Sequence, residues 1–522
     1  MALMMERHTI DMRNLLIAAL LITSAVDASM PKAIATAPGA AHSCGEDVRN
    51  FALAGRFRTE GGAAARLAFH ADGAGGGYEV LFRNGPIDGT RKTGSLSHVR
   101  NLYRSLAEDG SWCAFDIIVR ERNVEVKVGG VTVVRYTEPA HPWRTAAHSR
   151  QLFGRGDFVF TGEAGRVEFE DLALSPIPDG VRNPADTMPP IDEQTDRAIR
   201  KQQTDFPVID FHVHLKGGLT KEMAHAKSLN YGINYGIAPN VGEGGVGRML
   251  RSDAEADAYY SEVKDSPFLR GAQGEGRKWP YEFSRRALER FDYLFTDSMT
   301  IVDDGVPLRI YRPDEFRLNG RSREEWMDFL VSQIELILSN EPVDIYANAT
   351  YLPPPLAPYY DALWTDARIT RLLDTLAKNH VALEISARYR IPSAKIIARA
   401  KERGIKFTFG TNNGNADFGR LEYALDMVDA CGLTASDIWF PSESVRSSRP
   451  FIPYNVFRSP EATARLRTRQ ARPSRSHIGR DKRPHGSHCV SPLSPCHRAT
   501  AREGRACRDR NREGFAITSP GK

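Results

Sequence analysis

Phe206-Pro207-Val208-Ile209-Asp210-Phe211-His212-Val213-His214-Leu215-Lys216 is an apolar run that ends in His-x-His. A buried barrel strand built this way delivers two imidazoles to one point, because residues i and i+2 of a strand share a face. Two imidazoles on one face are half of a typical divalent-metal site, so the spacing points to metal-assisted hydrolysis. The alternative is a pair of strand histidines satisfied by ordinary hydrogen bonds.

Downstream of this stretch the pattern alternates strand and helix. Candidate strands are Val208 to His214, Tyr235 to Ala238, Leu269 to Gln273, Tyr293 to Thr296, Ile345 to Ala347, Ala382 to Ile385 and Lys406 to Gly410. Helical periodicity over Glu325 to Leu338, Arg368 to Asn379 and Ala394 to Gly404 separates several of them. About seven β/α units predict a TIM-like barrel one unit short of eight, spanning 206–444.

Upstream, residues 45–178 read as short alternating strands with glycine-rich turns. The clearest is Asn123 to Val128, Gly129-Gly130, Val131 to Tyr136, a hairpin signature. The expectation is an all-β sandwich or jelly roll. Residues 179–205, rich in Pro, Asp and Gln, read as a linker. The glycine clusters at Gly73 to Gly77 and Gly242 to Gly247 lack the Lys-Ser/Thr ending of a phosphate loop and read as turns.

The chain's 522 residues, 41% hydrophobic and 9% aromatic, are those of a folded two-domain protein with appendages. Arg7 and Arg13 precede the apolar Leu15 to Ile22, and Val26-Asp27-Ala28 offers small residues for cleavage. Residues 1–28 therefore read as an export signal, implying a periplasmic or extracellular protein with no membrane attachment once it is removed. The six cysteines give no framework: Cys44 and Cys113 could pair or stand as two thiols. The net charge of +5 is local, since the stretch from Arg446 onward holds about 18 Lys or Arg against about five acids. Residues 445–522 lack hydrophobic period, interleaved aromatics and CxxC spacing. They read as a disordered basic tail rather than a nucleic-acid arm or zinc module.

In a TIM-like barrel the chemistry sits at the carboxyl ends of the strands. Those ends carry His212 and His214, then Gln273-Gly274-Glu275-Gly276-Arg277, Thr296-Asp297-Ser298-Met299, Asn348, Glu384 with Ser386, and Thr411-Asn412-Asn413. Polar residues recurring at equivalent ends of successive strands are the mark of a lined pocket.

Two resemblances add to this reading. Trp112-Cys113-Ala114-Phe115-Asp116-Ile117-Ile118-Val119, Val126-Lys127-Val128-Gly129-Gly130, Arg135-Tyr136-Thr137-Glu138-Pro139 and Arg166-Val167-Glu168-Phe169-Glu170-Asp171-Leu172 resemble the 3-keto-disaccharide hydrolase domain family, a concanavalin-like jelly roll. The chain departs from it at Phe160-Thr161-Gly162-Glu163, where many relatives carry Gln-Gly-His. The barrel, with His-x-His on its first strand, resembles the PHP (polymerase and histidinol phosphatase) superfamily of metal-dependent phosphoesterases. Leu215-Lys216-Gly217-Gly218-Leu219-Thr220 and Lys406-Phe407-Thr408-Phe409-Gly410-Thr411-Asn412-Asn413 are similar to a PHP-like barrel fused behind such a jelly roll in exported bacterial proteins. Met299, Asn348 and Asn412 with Gly414 depart from the imidazole and carboxylate ligands usual there.

The PHP resemblance implies that His212, His214 and Glu275 hold one divalent ion, zinc or manganese, with Asn412 a weak neutral ligand. A water on that ion becomes the nucleophile. Asp297 or Glu384 then acts as general base or extra ligand, and Lys216 and Arg277 neutralise an anionic oxygen. The plainer reading pairs Glu384 with Arg388 and makes Lys216 a loop cap. Together these imply an exported hydrolase acting on a carbohydrate or a phosphorylated small molecule. The rival is a carbohydrate-binding protein with an inactive barrel.

Overall fold

The computed structural model of the chain describes residues 30–182, 191–245 and 247–441. The expected signal segment and basic tail lie outside the described residues. Alternating inward and outward side chains build the first half. β1 (Ala33–Thr36), β2 (Ala41–Val48), β3 (Phe51–Thr59), β4 (Ala64–Ala71), β5 (Tyr78–Phe82), β6 (Cys113–Arg120), β7 (Asn123–Val128), β8 (Val131–Thr137), β9 (Gly156–Ala164) and β10 (Val167–Pro176) form two antiparallel sheets, ordered β1-β10-β3-β6-β7-β8 and β2-β9-β4-β5. Phe51 and Phe57 of β3, Phe115 of β6, Phe158 of β9 and Phe169 of β10 meet edge to face between the sheets. The predicted hairpin is present. Its turn residues Gly129 and Gly130 both have positive φ, 58° and 78°, which only glycine adopts without strain.

The sandwich begins earlier than the expected residue 45. β1 is a short edge strand with only Ile34 and Thr36 turned inward, too little apolar pattern to be read from sequence. No disulfide joins Cys44 to Cys113, and Cys113 and Cys431 are free thiols.

The second half is a parallel barrel. In chain order it contributes β11 (Ile209–Val213), β12 (Asn234–Ile237), β13 (Asn240–Gly242), β14 (Met249–Leu250), β15 (Leu269–Glu275), β16 (Tyr293–Thr296), β17 (Thr300–Asp303), β18 (Val306–Arg309), β19 (Ile345–Tyr346), β20 (Ala382–Ser386) and β21 (Phe407–Gly410). Seven of these, β11, β12, β15, β16, β19, β20 and β21, form the ring. β12 pairs with β15 and β21 returns to β11, so the ring closes. These strands are buried almost throughout, which is why they read as apolar runs rather than alternating ones. Helices such as Arg323–Asn340 and Asp366–Lys378 cover the outside. No described helix is long and apolar enough to cross a membrane.

The amino-terminal end of the barrel is closed by side chains. Tyr293 lies across the interior, its hydroxyl donating to Phe211 O at 2.6 Å. Gly236 and Gly271 make room for it, since a Cβ at either position would collide with the phenol. Below it, Ile209, Leu269, Ile345 and Trp439 form a layer that Tyr103, from the sandwich, completes. Sandwich and barrel belong to one compact unit. The long connection between β5 and β6 makes the junction: Arg104 donates to Phe268 O at 3.0 Å and Asp292 Oδ2 at 3.1 Å.

The expected linker is partly structured. Residues 183–190 lie outside the described residues, but Asp196 caps a helix, Arg197–Gln203, whose Ile199 is fully buried. Just before it, buried Glu193 pairs with Arg144 of the sandwich at 3.0 Å. A capping aspartate and an ion pair turn what composition marks as a spacer into a wedge.

Candidate functional site

The carboxyl ends of the seven strands hold a buried polar network in which nearly every member is hydrogen-bonded to another. The backbone of His214 is gripped by Asn413, which accepts from His214 N at 2.8 Å and donates to His214 O at 2.9 Å. Asp210 of β11 accepts from His212 N, Thr411 N, Thr411 Oγ1 and Gly419 N. Burial pushes its carboxyl up, and the hydrogen bonds from Thr411, Gly419 and His212 oppose the shift. The first and last strands are thus locked together beneath the histidines.

The two imidazoles stand 5.0 Å apart, centroid to centroid, with Phe295 against His212. His212 Nδ1 lies 2.7 Å from Glu384 Oε2, and His214 Nδ1 donates to Ala238 O at 2.7 Å. Burial, then the neighbouring His212 and Lys216, holds His214 well below the usual imidazole range. Gln273 occupies the space between imidazoles and acids. Its Nε2 donates to Glu275 Oε1 at 3.2 Å and reaches Asp297 Oδ2 at 3.4 Å, which turns its Oε1 to His212 Nε2 at 3.2 Å.

That arrangement answers the metal expectation. His212 is engaged at both ring nitrogens, by Glu384 at Nδ1 and by the Gln273 amide at Nε2, so neither stands open to an ion. Glu275 meets the histidines only through the Gln273 amide. Among the described residues no three His, Cys, Asp or Glu side chains are grouped to hold one ion. The expected set of His212, His214 and Glu275 with Asn412 therefore does not fit a resident divalent ion. Gln273, two residues before Glu275 on the same face of β15, stands between Glu275 and His212 and binds both.

The remaining expected residues divide. Asp297 joins the network: Asn348 Nδ2 donates to its Oδ2 and Met299 N to its Oδ1, both at 2.9 Å. Glu384 is not a free base, because Oε2 faces His212 and Oε1 accepts from Asn348 N at 2.9 Å. Nor is it the partner of Arg388, which donates instead to Asn412 O at 2.8 Å. Lys216 reaches across the mouth to Asn412 Oδ1 at 3.3 Å, and burial first, then Arg388, pushes its ammonium down to about 8. Arg277 turns away to Glu341, 3.0 Å away, so its charge is matched within the protein.

Burial and the nearby Asp297 push the Glu275 carboxyl up to about 8. Burial also raises Asp297, opposed by the hydrogen bonds from Asn348 and Met299. The mouth thus holds two adjacent acids that do not both ionise at neutral pH. Gln273 and Asn348 stood among the expected polar strand ends, but without an assigned role. The period-two rule that pairs His212 with His214 pairs Gln273 with Glu275 equally well.

The family described as the 3-keto-alpha-glucoside-1,2-lyase-like domain matches residues 25–175, the sandwich. No curated protein matches the chain. Among solved structures, a candidate glycosyl hydrolase from Parabacteroides distasonis is 12% identical, with 28% of this chain and 81% of that one covered at a TM-score of 0.26. Sheep galectin-11 is 13% identical over 26% and 98%, TM-score 0.19. The carbohydrate-binding module CBM66 from Bacillus subtilis is 11% identical over 27% and 83%, also 0.19. The chain therefore joins a sandwich matching the 3-keto-disaccharide hydrolase domain family to a closed seven-stranded parallel barrel.

Proposed function

We propose that this chain is an exported carbohydrate-cleaving hydrolase in which a keto-glycoside-type sandwich is fused to a PHP-like barrel, and that the barrel mouth works by proton transfer among its own side chains. The observation that carries the reading is the Glu275–Asp297 pair: a half-buried and a buried acid within reach of one amide nitrogen, one of them protonated at neutral pH. Asp297 accepts from Asn348, Met299 and Gln273, whereas Glu275 accepts from Gln273 alone, so the negative charge rests on Asp297 and the proton on Glu275. Glu275 gives its proton to the leaving oxygen of a glycosidic bond and regains one from the attacking water, while Asp297, both of whose oxygens are engaged, holds the charge that keeps the proton on Glu275. His212, steadied by Glu384, orients Gln273, and Lys216 with Asn412 lines the mouth where sugar hydroxyls enter. The keto-glycoside class follows from the sandwich's family match, and export from the charged and apolar leader.

The test is a screen of 3-keto-glycosides and phosphoesters, with and without chelator, on the full chain and on Glu275→Gln and His212→Ala. Keto-glycoside turnover that resists chelation and falls about 100-fold or more in Glu275→Gln is expected. Chelator-sensitive phosphoester turnover would restore the metal reading. Keto-glycoside turnover untouched by either substitution would leave the barrel silent and move the chemistry to the sandwich.

A further inference from the structure

Lys216 follows the first barrel strand and is held from its main chain outward. Its N donates to His214 O at 3.0 Å, and its O accepts from Leu219 N at 3.2 Å. The next residue, Gly217, sits at φ 60° and so close to the segment after β21 that a Cβ there would come within 2.6 Å of Asn415 Cα. The side chain is half-buried and runs across the mouth instead of out into solvent.

At the far end Nζ donates to Asn412 Oδ1 at 3.3 Å, and among the described residues it forms no ion pair with a carboxylate. Arg388 grips the same residue, donating to Asn412 O at 2.8 Å. An amide oxygen offsets less charge than a carboxylate does, and a second cation at one residue favours the neutral amine, the form that acts as a nucleophile.

The acid of the mouth borders the same loop. Between β13 and β14, a Cβ on Gly245 would lie 2.9 Å from Glu275 Cγ, and one on Gly247 would lie 3.6 Å from Lys216 Cβ. One short glycine-bearing segment thus touches both side chains. An amine without an ion pair and a carboxylic acid at one mouth are the two groups that condensation with a ketone requires, and the proton transfer assigned above leaves the amine's lone pair unused.

We propose that Lys216 is a covalent catalytic residue whose amine forms an iminium with the ketone of the substrate. This rests on the keto-glycoside reading of the barrel mouth. The nitrogen lone pair attacks the C3 carbonyl carbon, and one N–H proton passes to the carbonyl oxygen. Glu275 protonates the resulting hydroxyl, which departs as water and leaves C3=N⁺ and a Glu275 carboxylate. The iminium acidifies C2, so the carboxylate takes the C2 proton and the C–H pair becomes the enamine bond C2=C3. That enamine expels the C1 oxygen, which takes the proton from Glu275. Water then adds to C1 and its proton passes through Glu275 to C2. A second water hydrolyses C3=N⁺, freeing the ketone and the amine and returning the proton to Glu275.

The test incubates the full chain with methyl 3-keto-α-glucoside and cyanoborohydride, which reduces an iminium to a stable secondary amine, and reads peptide masses and methanol release. One adduct per chain is expected on the peptide carrying Lys216, heavier by the sugar less one oxygen, and none with methyl α-glucoside, which has no ketone. Lys216→Arg keeps the charge without a nucleophilic amine, and Lys216→Met removes both. Each should lose the adduct and at least about 100-fold of the turnover while keeping the wild-type unfolding midpoint. No adduct at Lys216, adducts spread evenly over the exposed lysines, or undiminished turnover in folded Lys216→Arg overturns the proposal. Methanol release without an adduct would remove the iminium and leave the acid of the mouth standing. An adduct at Lys216 without methanol release would sustain the iminium and overturn the cleavage reading instead.

Discussion

Glu275 carries the largest consequence of any single residue. Its carboxyl holds a proton in the native chain up to about pH 8, whereas the ordinary value is 4.5. Between those values the native state binds more protons than the unfolded chain, so stability falls as pH rises through that window. Glu275→Gln removes the penalty. We expect it to be more stable than the wild type at pH 8 by on the order of 1–2 kcal/mol, the gap closing toward pH 4, as read by urea denaturation. On the proposed mechanism the rate should decline in step as pH rises past about 8, since the acid must be protonated to act. Glu384 serves two buried groups, His212 and Asn348 N. Glu384→Ala leaves both unmatched and should cost about 2–4 kcal/mol in the same assay. Purified chain should carry no stoichiometric zinc or manganese by elemental analysis, and dialysis against chelator should not lower its unfolding temperature. A bound ion at one per chain would show that Gln273 gives way.

At the scale of elements, most strands and several helices were legible because their apolar pattern is dense. The helix Arg323–Asn340 buries Trp326, Leu330, Val331, Ile334 and Leu338 at helical spacing and begins with a complete capping box between Ser322 and Glu325. Ser322→Ala is expected to cost about 1 kcal/mol. The hairpin of β17 and β18, and the short β13 and β14 at the mouth, escaped the sequence reading. They are two to four residues long, and β18 exposes Val306 and Pro307. Position, not pattern, decides two barrel glycines. Gly271→Ala sets a methyl against Tyr293 and should lower stability by about 1–3 kcal/mol.

For the whole molecule, the sandwich is part of the barrel's floor. Arg104 crosses the junction to Asp292, where burial would raise the carboxyl but Arg104 and Arg270 together hold it low. Arg104→Ala removes one of the guanidiniums and three contacts to the barrel, to Asp292, Phe268 O and Lys264 O. The cost should be about 3–5 kcal/mol, and the single unfolding transition expected of one compact unit should split into two in calorimetry. A single unsplit transition would mean that the apolar layer around Tyr103 couples the halves by itself. The floor is closed by the sandwich, and the polar network lies at the barrel's opposite end.

What the amino-acid order determined by itself is what depends on neighbours along the chain. The sandwich, the seven barrel strands, the glycine turn at Gly129-Gly130 and the placing of His212, His214, Glu275, Asp297 and Glu384 at strand ends all follow from periods of two and 3.6. What only the tertiary structure decided is which groups satisfy one another across the barrel. Gln273 turned to His212, Glu384 to His212, Arg277 to Glu341 and Asp205 to His98 are pairings between residues far apart in the chain. Buried polar atoms must find partners wherever the fold brings them, and strand periodicity carries no information about distant partners.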